Sequence, residues 1–481
     1  MEPLRHALAD WDDLVSTATP HLERLFRVQE DPTQLPVSSD APSLRVRAQT
    51  PGPLPKTGRP LAELLPEVLD LVLQQGYCNG AHPQYHGYFH PRPLPVTVLG
   101  DAIASLLNQS PAAWRMGPAA TALEYETLAW LADFVGYPRG GPDRLPGVFT
   151  SGGSTANLAG LKLARDVTLG REVQDAGLAD SPRRLTFYAS SETHYSIPRA
   201  LDVLGVGRDA LRVVPVDEHG RISLPALRDL IARDVAAGRT PACVVGLACA
   251  TATGAVDPLT ELADVAAEHD MWFHVDGAGG APYAGLPETG AAFAGLDRAD
   301  SLTVDPHKWL FTPYGLGCLL VRDSAELARS FRGGAHYWQV EEDVDTVFMA
   351  VEGARPWKSL GLWLAMSQLG SEGYADLLAR NLGVARHLAD RVRAREGFEL
   401  FGEPTVAICC FRVLPADPAV DADALNERLQ QRLADSGEFF VTTCRPDGRV
   451  FLRAAISNFG TEERHVEALL AALDAARSDV L

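Results

Sequence analysis

Met271-Trp272-Phe273-His274-Val275-Asp276-Gly277-Ala278-Gly279-Gly280 decides the fold. A mostly apolar run ends in a carboxylate, and four small residues follow it. Such a run reads as a buried strand, with the Asp placed where the chain leaves the sheet. Outward from it the pattern repeats. Short apolar runs at 148–150, 185–189, 211–216, 244–248, 302–304 and 318–321 alternate with helical spacings. The alternation predicts an α/β fold, with a large and mostly parallel seven-stranded sheet joined by helical crossovers.

Past residue 355 the pattern changes. Helical stretches over 360–369 and 374–395 precede strand-like runs at 406–413 and 449–456 and a helix over 465–475. A smaller C-terminal α+β domain follows from this order. Upstream, a helix over 4–28 leads into a Pro/Ser-rich passage over 31–60 that resists regular structure, and two helices lie between 96 and 136. The expected division is an arm over 1–80, a large domain over 81–355 and a small one over 356–481.

The 481 residues are 46% hydrophobic and 22% charged, which suits a globular chain with an extensive core. A net charge of −19 repels phosphate backbones and anionic lipid, so neither nucleic acid nor a membrane is an expected partner. The seven cysteines are scattered, without a Cys-x-x-Cys pair, and no apolar stretch reaches spanning length. A reducing, cytoplasmic setting is the expectation. A bound phosphate would need local donors against the global field.

Such donors stand in Thr150-Ser151-Gly152-Gly153-Ser154-Thr155-Ala156-Asn157, where hydroxyls and N–H groups converge at a helix start. Alone, a Gly/Ser turn merely connects elements. Lys308 follows a strand in Asp305-Pro306-His307-Lys308-Trp309, where apolar neighbours favour a neutral amine able to condense with an aldehyde. A lysine paired with Asp305 on a surface loop fits the same letters. Asp276 suits a pyridinium partner that keeps a ring electron-poor; a helix cap or metal ligand is its alternative. His194 follows another strand and offers a flat ring for stacking, though a packing role is commoner for one such His. The conjunction in one order is what narrows the chemistry.

At these residues the sequence resembles the group II pyridoxal 5'-phosphate (PLP) decarboxylases, the family of aromatic-amino-acid, glutamate and diaminobutyrate decarboxylases. The resemblance runs over 82–459, strongest at 150–157, His194, 274–278 and the His307-Lys308-Trp309 segment. It implies an aspartate-aminotransferase-like fold-type I enzyme, a homodimer with active sites at the subunit interface, and an amino acid substrate. By position it implies Lys308 as the lysine that takes the cofactor covalently, Asp276 as its pyridinium partner and His194 as the stacking ring. Gly153, Ser154 and His307 would help hold the phosphate, with Thr251 and Ala278 beside the cofactor. Tyr88, Phe89 and Trp114 match the substrate pocket, and Arg453 matches an arginine that in glutamate-decarboxylase relatives meets the substrate carboxylate; a structural salt bridge is an equally good reading of Arg453.

Two departures matter. Relatives carry Gly-Thr-Thr where this chain has Cys249-Ala250-Thr251, so a hydroxyl is lost and Thr251 or Thr253 is the substitute. The loop that supplies a Tyr as proton donor in aromatic decarboxylases is short, and residues 341–355 contain no Tyr; Tyr337 and His336 are alternative donors. The expected reaction is decarboxylation of an L-amino acid, aromatic by the matched pocket residues. An aldehyde synthase of the same family is the nearest rival. Behind it stand a decarboxylase of an acidic substrate recruited by Arg115 or of a diamino acid, an aminotransferase or carbon–carbon lyase, and a non-catalytic PLP-binding protein.

Overall fold

The structure, a computed structural model, describes residues 11–140, 145–170, 172–179, 181, 183–331, 333 and 345–480. Seven strands form the large sheet: β1 (Gly147–Thr150), β2 (Leu185–Ser190), β3 (Leu211–Val214), β4 (Thr240–Leu247), β5 (Trp272–Asp276), β6 (Ser301–Val304) and β7 (Gly317–Val321). Their order is β1-β7-β6-β5-β4-β2-β3. Only β7 runs against its neighbours, so the carboxyl ends of the other six share one edge. All five residues of β5 but Trp272 are buried, as helices on both faces require. The sheet expected from the alternating pattern is therefore present, mostly parallel and seven-stranded.

The helix Gly153–Leu169 crosses behind the sheet and buries Ala156, Ala159, Leu161, Leu163 and Ala164. It comes unusually close at Gly160, where a Cβ would meet His274 ring atoms at 2.7 Å. Only glycine permits that approach, and it lets the start of the helix reach β5. A strand-to-helix contact over a side chain would hold them further apart.

A second sheet, β10-β11-β9-β8, is wholly antiparallel: β8 (Phe398–Leu400), β9 (Ile408–Val413), β10 (Thr442–Cys444) and β11 (Phe451–Ala455). Helices Ala422–Ser436 and Glu463–Val480 accompany it. β9 and β11 were legible from their apolar runs; the three-residue edges β8 and β10 were not. The long helix Ser359–Arg393 breaks at Gly370, whose φ of 65° suits glycine and little else, near the expected gap between two helical stretches.

The N-terminal passage needs correction. Within 31–60, expected to be irregular, Pro42–Gln49 is helical, with proline at its first turn, where a missing N–H costs nothing. The first helix is seen over Trp11–Glu30, and the part expected before residue 11 lies outside the described residues. The helices between 96 and 136 are Pro95–Leu107 and Pro118–Phe134. No described helix is long and apolar enough to cross a membrane.

Candidate active site

At the shared strand edge, loops after β1, β2, β4, β5 and β6 enclose a cavity of about 340 Å³. Its walls contain Gly153, Ser154, His194, Thr251, Asp276, Ala278, His307 and Lys308, so the residues singled out for the cofactor are brought together. Strand ends impose this: each carries one polar residue out of an apolar run onto the same rim.

Asp276, 5% exposed, accepts hydrogen bonds from Asn157 Nδ2 at 2.9 Å and from the Ala278 N–H at 3.2 Å. Each such bond to a carboxylate contributes about 1.5–3 kcal/mol. Among the described residues, no group of three or more His, Cys, Asp or Glu side chains could hold a metal. Behind Asp276, burial pushes the His274 imidazole down to about 4. Its Nε2 lies 3.0 Å from Asn157 Oδ1 and its Nδ1 2.8 Å from Ser301 Oγ. Burial likewise lowers the His194 pKa, outweighing the opposing pull of Asp276.

Lys308 Nζ stands 3.1 Å from Asp305 Oδ2 and 5.2 Å from the Phe89 ring centroid. The pair that a surface loop would also have made exists, but Asp305 is 3% exposed and inside the cavity. Asp305 Oδ1 has no protein partner. His307 donates from Nδ1 to the Leu316 carbonyl at 2.6 Å, which leaves Nε2 for the cavity wall. Trp309 is fully buried and donates to the Gly279 carbonyl, fixing the lysine segment from below.

The turn before helix Gly153–Leu169 suits an anion. Glu352 already sends its carboxylate to the Ser151 N–H, at 3.2 Å from both oxygens. A Cβ on Gly153 would sit 2.8 Å from Asp305 Oδ2 and 3.0 Å from the Ala278 methyl, so this wall admits no larger residue. Hydroxyls of Ser151, Ser154 and Thr155 stand round the turn. A phosphate-bearing aldehyde with a flat ring therefore fits the residues present: donors at the helix start, a carboxylate at the strand end, an amine and an imidazole between.

Cys249 explains one departure. Its φ is 144°, a backbone conformation for which glycine is the natural residue and which costs other residues on the order of 1–3 kcal/mol. Cys249 adopts it with its side chain buried. Thr251 lines the cavity, whereas Thr253 Oγ1 accepts from the Ala255 N–H and lines a different cavity, so Thr253 is not the substitute.

An outer cavity of about 630 Å³ continues from the first past Tyr88, Glu192, His194, Thr251, Phe440 and Arg453. Arg453, 5% exposed, donates to the carbonyls of Thr251 at 2.9 Å, Ala252 at 3.2 Å and Gly87 at 2.6 Å. It pairs with no carboxylate among the described residues, and its Nη2 is unpartnered. A structural salt bridge, the other reading of Arg453, is not what the structure shows. Phe89 lies beneath Arg453 and Lys308 and packs edge-on against Trp309. Trp114 lines neither cavity; its N–H donates to Asp345 at 2.7 Å. Arg115 is exposed. His336 and Tyr337 lie outside the described residues.

Sequence reasoning missed Glu192 and Ser196, the burial of Asp305 inside the cavity and the role of Asn157. Glu192 lines both cavities, and burial raises its carboxyl pKa. Asn157 stood inside the quoted Gly/Ser run, three residues before Gly160, but nothing local said that its amide faces Asp276.

A mostly parallel sheet whose strand ends gather a lysine, a carboxylate and a phosphate-sized turn defines a fold-type I enzyme, the class that works with pyridoxal phosphate. Within that class, the chain belongs to the pyridoxal-dependent decarboxylases: residues 44–414 match the "Pyridoxal-dependent decarboxylase conserved domain". It is 32% identical over 454 residues to the aromatic-L-amino-acid decarboxylase of Bacillus atrophaeus, covering 92% of this chain and 91% of that one. It is 31% identical over 411 residues to an L-2,4-diaminobutyrate decarboxylase of Rhizobium meliloti (strain 1021), covering 84% and 80%. The structure of Oryza sativa TDC with PLP and tryptamine superposes at a TM-score of 0.91 with 28% identity, covering 98% of both chains. Rhodiola rosea 4-hydroxyphenylacetaldehyde synthase superposes at 0.89 with 26% identity, covering 98% of this chain and 99% of that one. The protein is a PLP-dependent amino acid decarboxylase.

Proposed function

We propose that this enzyme decarboxylates an aromatic L-amino acid, with Lys308 and Asp276 as its central pair. The observation that carries the site assignment is that both enter one cavity from neighbouring strand ends. Bound there, pyridoxal phosphate supplies the aldehyde that takes up an amino group and the ring that accepts the electron pair left when carbon dioxide departs. Lys308 would take the cofactor through its amine, which Asp305 holds at the cavity wall. Asp276 keeps a proton at the ring nitrogen. His194 would cover a face of the cofactor ring, and Gly153, Ser154 and His307 would hold its phosphate, with Thr251 and Ala278 alongside. Orientation of the breaking bond against the ring falls to the cavity walls.

Arg453 is the group we assign to a substrate carboxylate, since a buried guanidinium with a free Nη2 calls for an anion. Arg453→Lys keeps charge but not the fork, and is expected to raise KM roughly 10- to 100-fold with a smaller change in kcat. Steady-state kinetics on the aromatic amino acids checks it; an unchanged KM removes Arg453 from substrate binding.

The aromatic reading rests on Tyr88 in the outer cavity wall, on Phe89 packed behind it against Lys308 and Arg453, and on the aromatic-amino-acid relatives. Aromatic pairs add about 0.5–1.5 kcal/mol each beyond burial. Glu192 favours a second reading, a diamino acid, whose side-chain ammonium it would meet. Carbon dioxide, amine, aldehyde and peroxide measured over a panel of amino acids separate these and the aldehyde synthase. Higher kcat/KM for tyrosine, phenylalanine or tryptophan than for diaminobutyrate is expected. A diaminobutyrate preference lost in Glu192→Gln would replace the first reading by the second; aldehyde with peroxide would place the chain with the synthases.

The enzyme works as a homodimer in this reading, in a cytoplasmic setting. Trp11, Val15, Leu22 and Phe26 make an exposed apolar stripe along helix Trp11–Glu30, with Trp11 64% and Phe26 60% exposed. In such a dimer Trp114, which lines neither cavity of its own chain, would serve the site of the second copy. Sedimentation velocity should give twice the monomer mass; a monomer that retains full activity would remove the dimer and Trp114 together. The two separate sheets support an arm over 1–80 and units over 81–355 and 356–481.

A further inference from the structure

We propose that Asn157 is a positioning residue whose side-chain amide holds the Asp276 carboxylate and fixes the hydrogens on His274 and His194 as one set, an inference that rests on the roles given above to Asp276 and His194. Asn157 Nδ2 lies 2.9 Å from Asp276 Oδ2 and 2.9 Å from Ser196 Oγ. Its Oδ1 lies 2.6 Å from Thr303 Oγ1 and 3.0 Å from His274 Nε2. Asp276 acts as an acceptor here, as it does for the Ala278 N–H, so the Asn157 nitrogen faces Asp276 and the oxygen faces His274.

The rest follows by donor and acceptor count. Asn157 Oδ1 accepts, so His274 carries its hydrogen on Nε2, and its Nδ1 accepts from the Ser301 hydroxyl. Ser301 Oγ in turn accepts from Trp272 Nε1 at 2.8 Å. On the other branch Ser196 Oγ receives the Asn157 amide hydrogen. The Ser196 backbone N–H points at His194 Nδ1 from 3.3 Å, so that nitrogen is an acceptor and takes the Ser196 hydroxyl hydrogen, 2.8 Å away. His194 therefore holds its hydrogen on Nε2, the end that makes no protein hydrogen bond among the described residues. Asn157 is 1% exposed, and both hydrogens and both acceptor sites of its amide are used, so no water competes for the arrangement.

The test reads hydrogens as well as rates. In ¹⁵N-histidine spectra of the cofactor-free protein, His274 and His194 should both appear as Nε2–H tautomers. Asn157→Ala frees the Ser196 hydroxyl to turn, and both rings should become tautomer mixtures. Ser196→Ala, the milder change should the first not fold, should alter His194 alone. With cofactor bound, kcat is expected to fall on the order of 10- to 100-fold in Asn157→Ala, as when a group behind a site ligand is removed, with KM little changed. An Nδ1–H tautomer at His194 in the unaltered protein, or both tautomers unchanged in Asn157→Ala, overturns the proposal. The roles of Lys308 and Asp276 are tested separately by cofactor labelling and by Asp276 variants. Tautomers as expected with the cofactor on another lysine would leave the wiring intact and sink those roles instead.

Discussion

Lys308→Arg is expected to lower turnover roughly 10⁴- to 10⁶-fold, the scale on which enzymes lose rate when a covalent nucleophile is removed. Arginine keeps the positive charge beside Asp305 but stays protonated, so it has no amine lone pair to offer an aldehyde. The choice of variant follows from the structure. Lys308→Ala would strip the partner from an Asp305 carboxylate that is 3% exposed, and loss of one member of a buried pair destabilises by about 3–5 kcal/mol. Alanine would mix folding with chemistry; arginine separates them, and a Tm close to that of the unaltered protein confirms the separation. Borohydride reduction followed by peptide mapping completes the test. The pyridoxyl group should sit on Lys308 in the unaltered protein and be absent in Lys308→Arg. A label on Lys162 or Lys358 would overturn the assignment.

Asp276→Ala is expected to cost roughly two to four decades in kcat while most of the cofactor stays bound. Removing one member of a buried ion pair costs about 3–5 kcal/mol, and about 1.4 kcal/mol is tenfold when the loss is felt in the transition state. The phosphate turn and Lys308 are untouched, which is why retention and turnover should part company. Asp276→Asn sharpens the result. It is nearly isosteric and can still accept from the Ala278 N–H, but it carries no charge to hold a proton on a ring nitrogen. Both variants should therefore be slow, and cofactor absorbance after dialysis should stay near the unaltered level. Near-normal turnover in Asp276→Asn would show that Asp276 does not serve the ring nitrogen.

Much of this was legible before any coordinates. The inner strands of the large sheet announced themselves by short apolar runs, because a strand covered on both faces has no polar side to show. The edge strand β3, with Arg212 half-buried and Val213 exposed, was read from its valines and leucine. Lys308, Asp276 and His194 stood out because each breaks such a run at its end. The edge strands β8 and β10 carried no such signal, since three residues that are half-buried or exposed have no pattern to read. Helix Pro42–Gln49 was missed because prolines on either side suggest irregular chain, although proline is welcome in a helix's first turn.

The sequence by itself determined the sheet, the order of chemical groups along it and the family, because strand periodicity and strand-end residues are local properties of the chain. Only the tertiary structure decided what each group touches. Asn157 meets Asp276 across 119 positions, and Arg453 meets the Thr251 carbonyl across 202. Those meetings depend on how closely a helix can approach a strand, as at Gly160 over His274. They depend also on where a second sheet docks, which sets Arg453 at the cavity mouth with one nitrogen free. Close packing lets such long-range contacts fix the rotamer and hydrogens of each buried polar side chain, and no stretch of neighbouring residues holds that information.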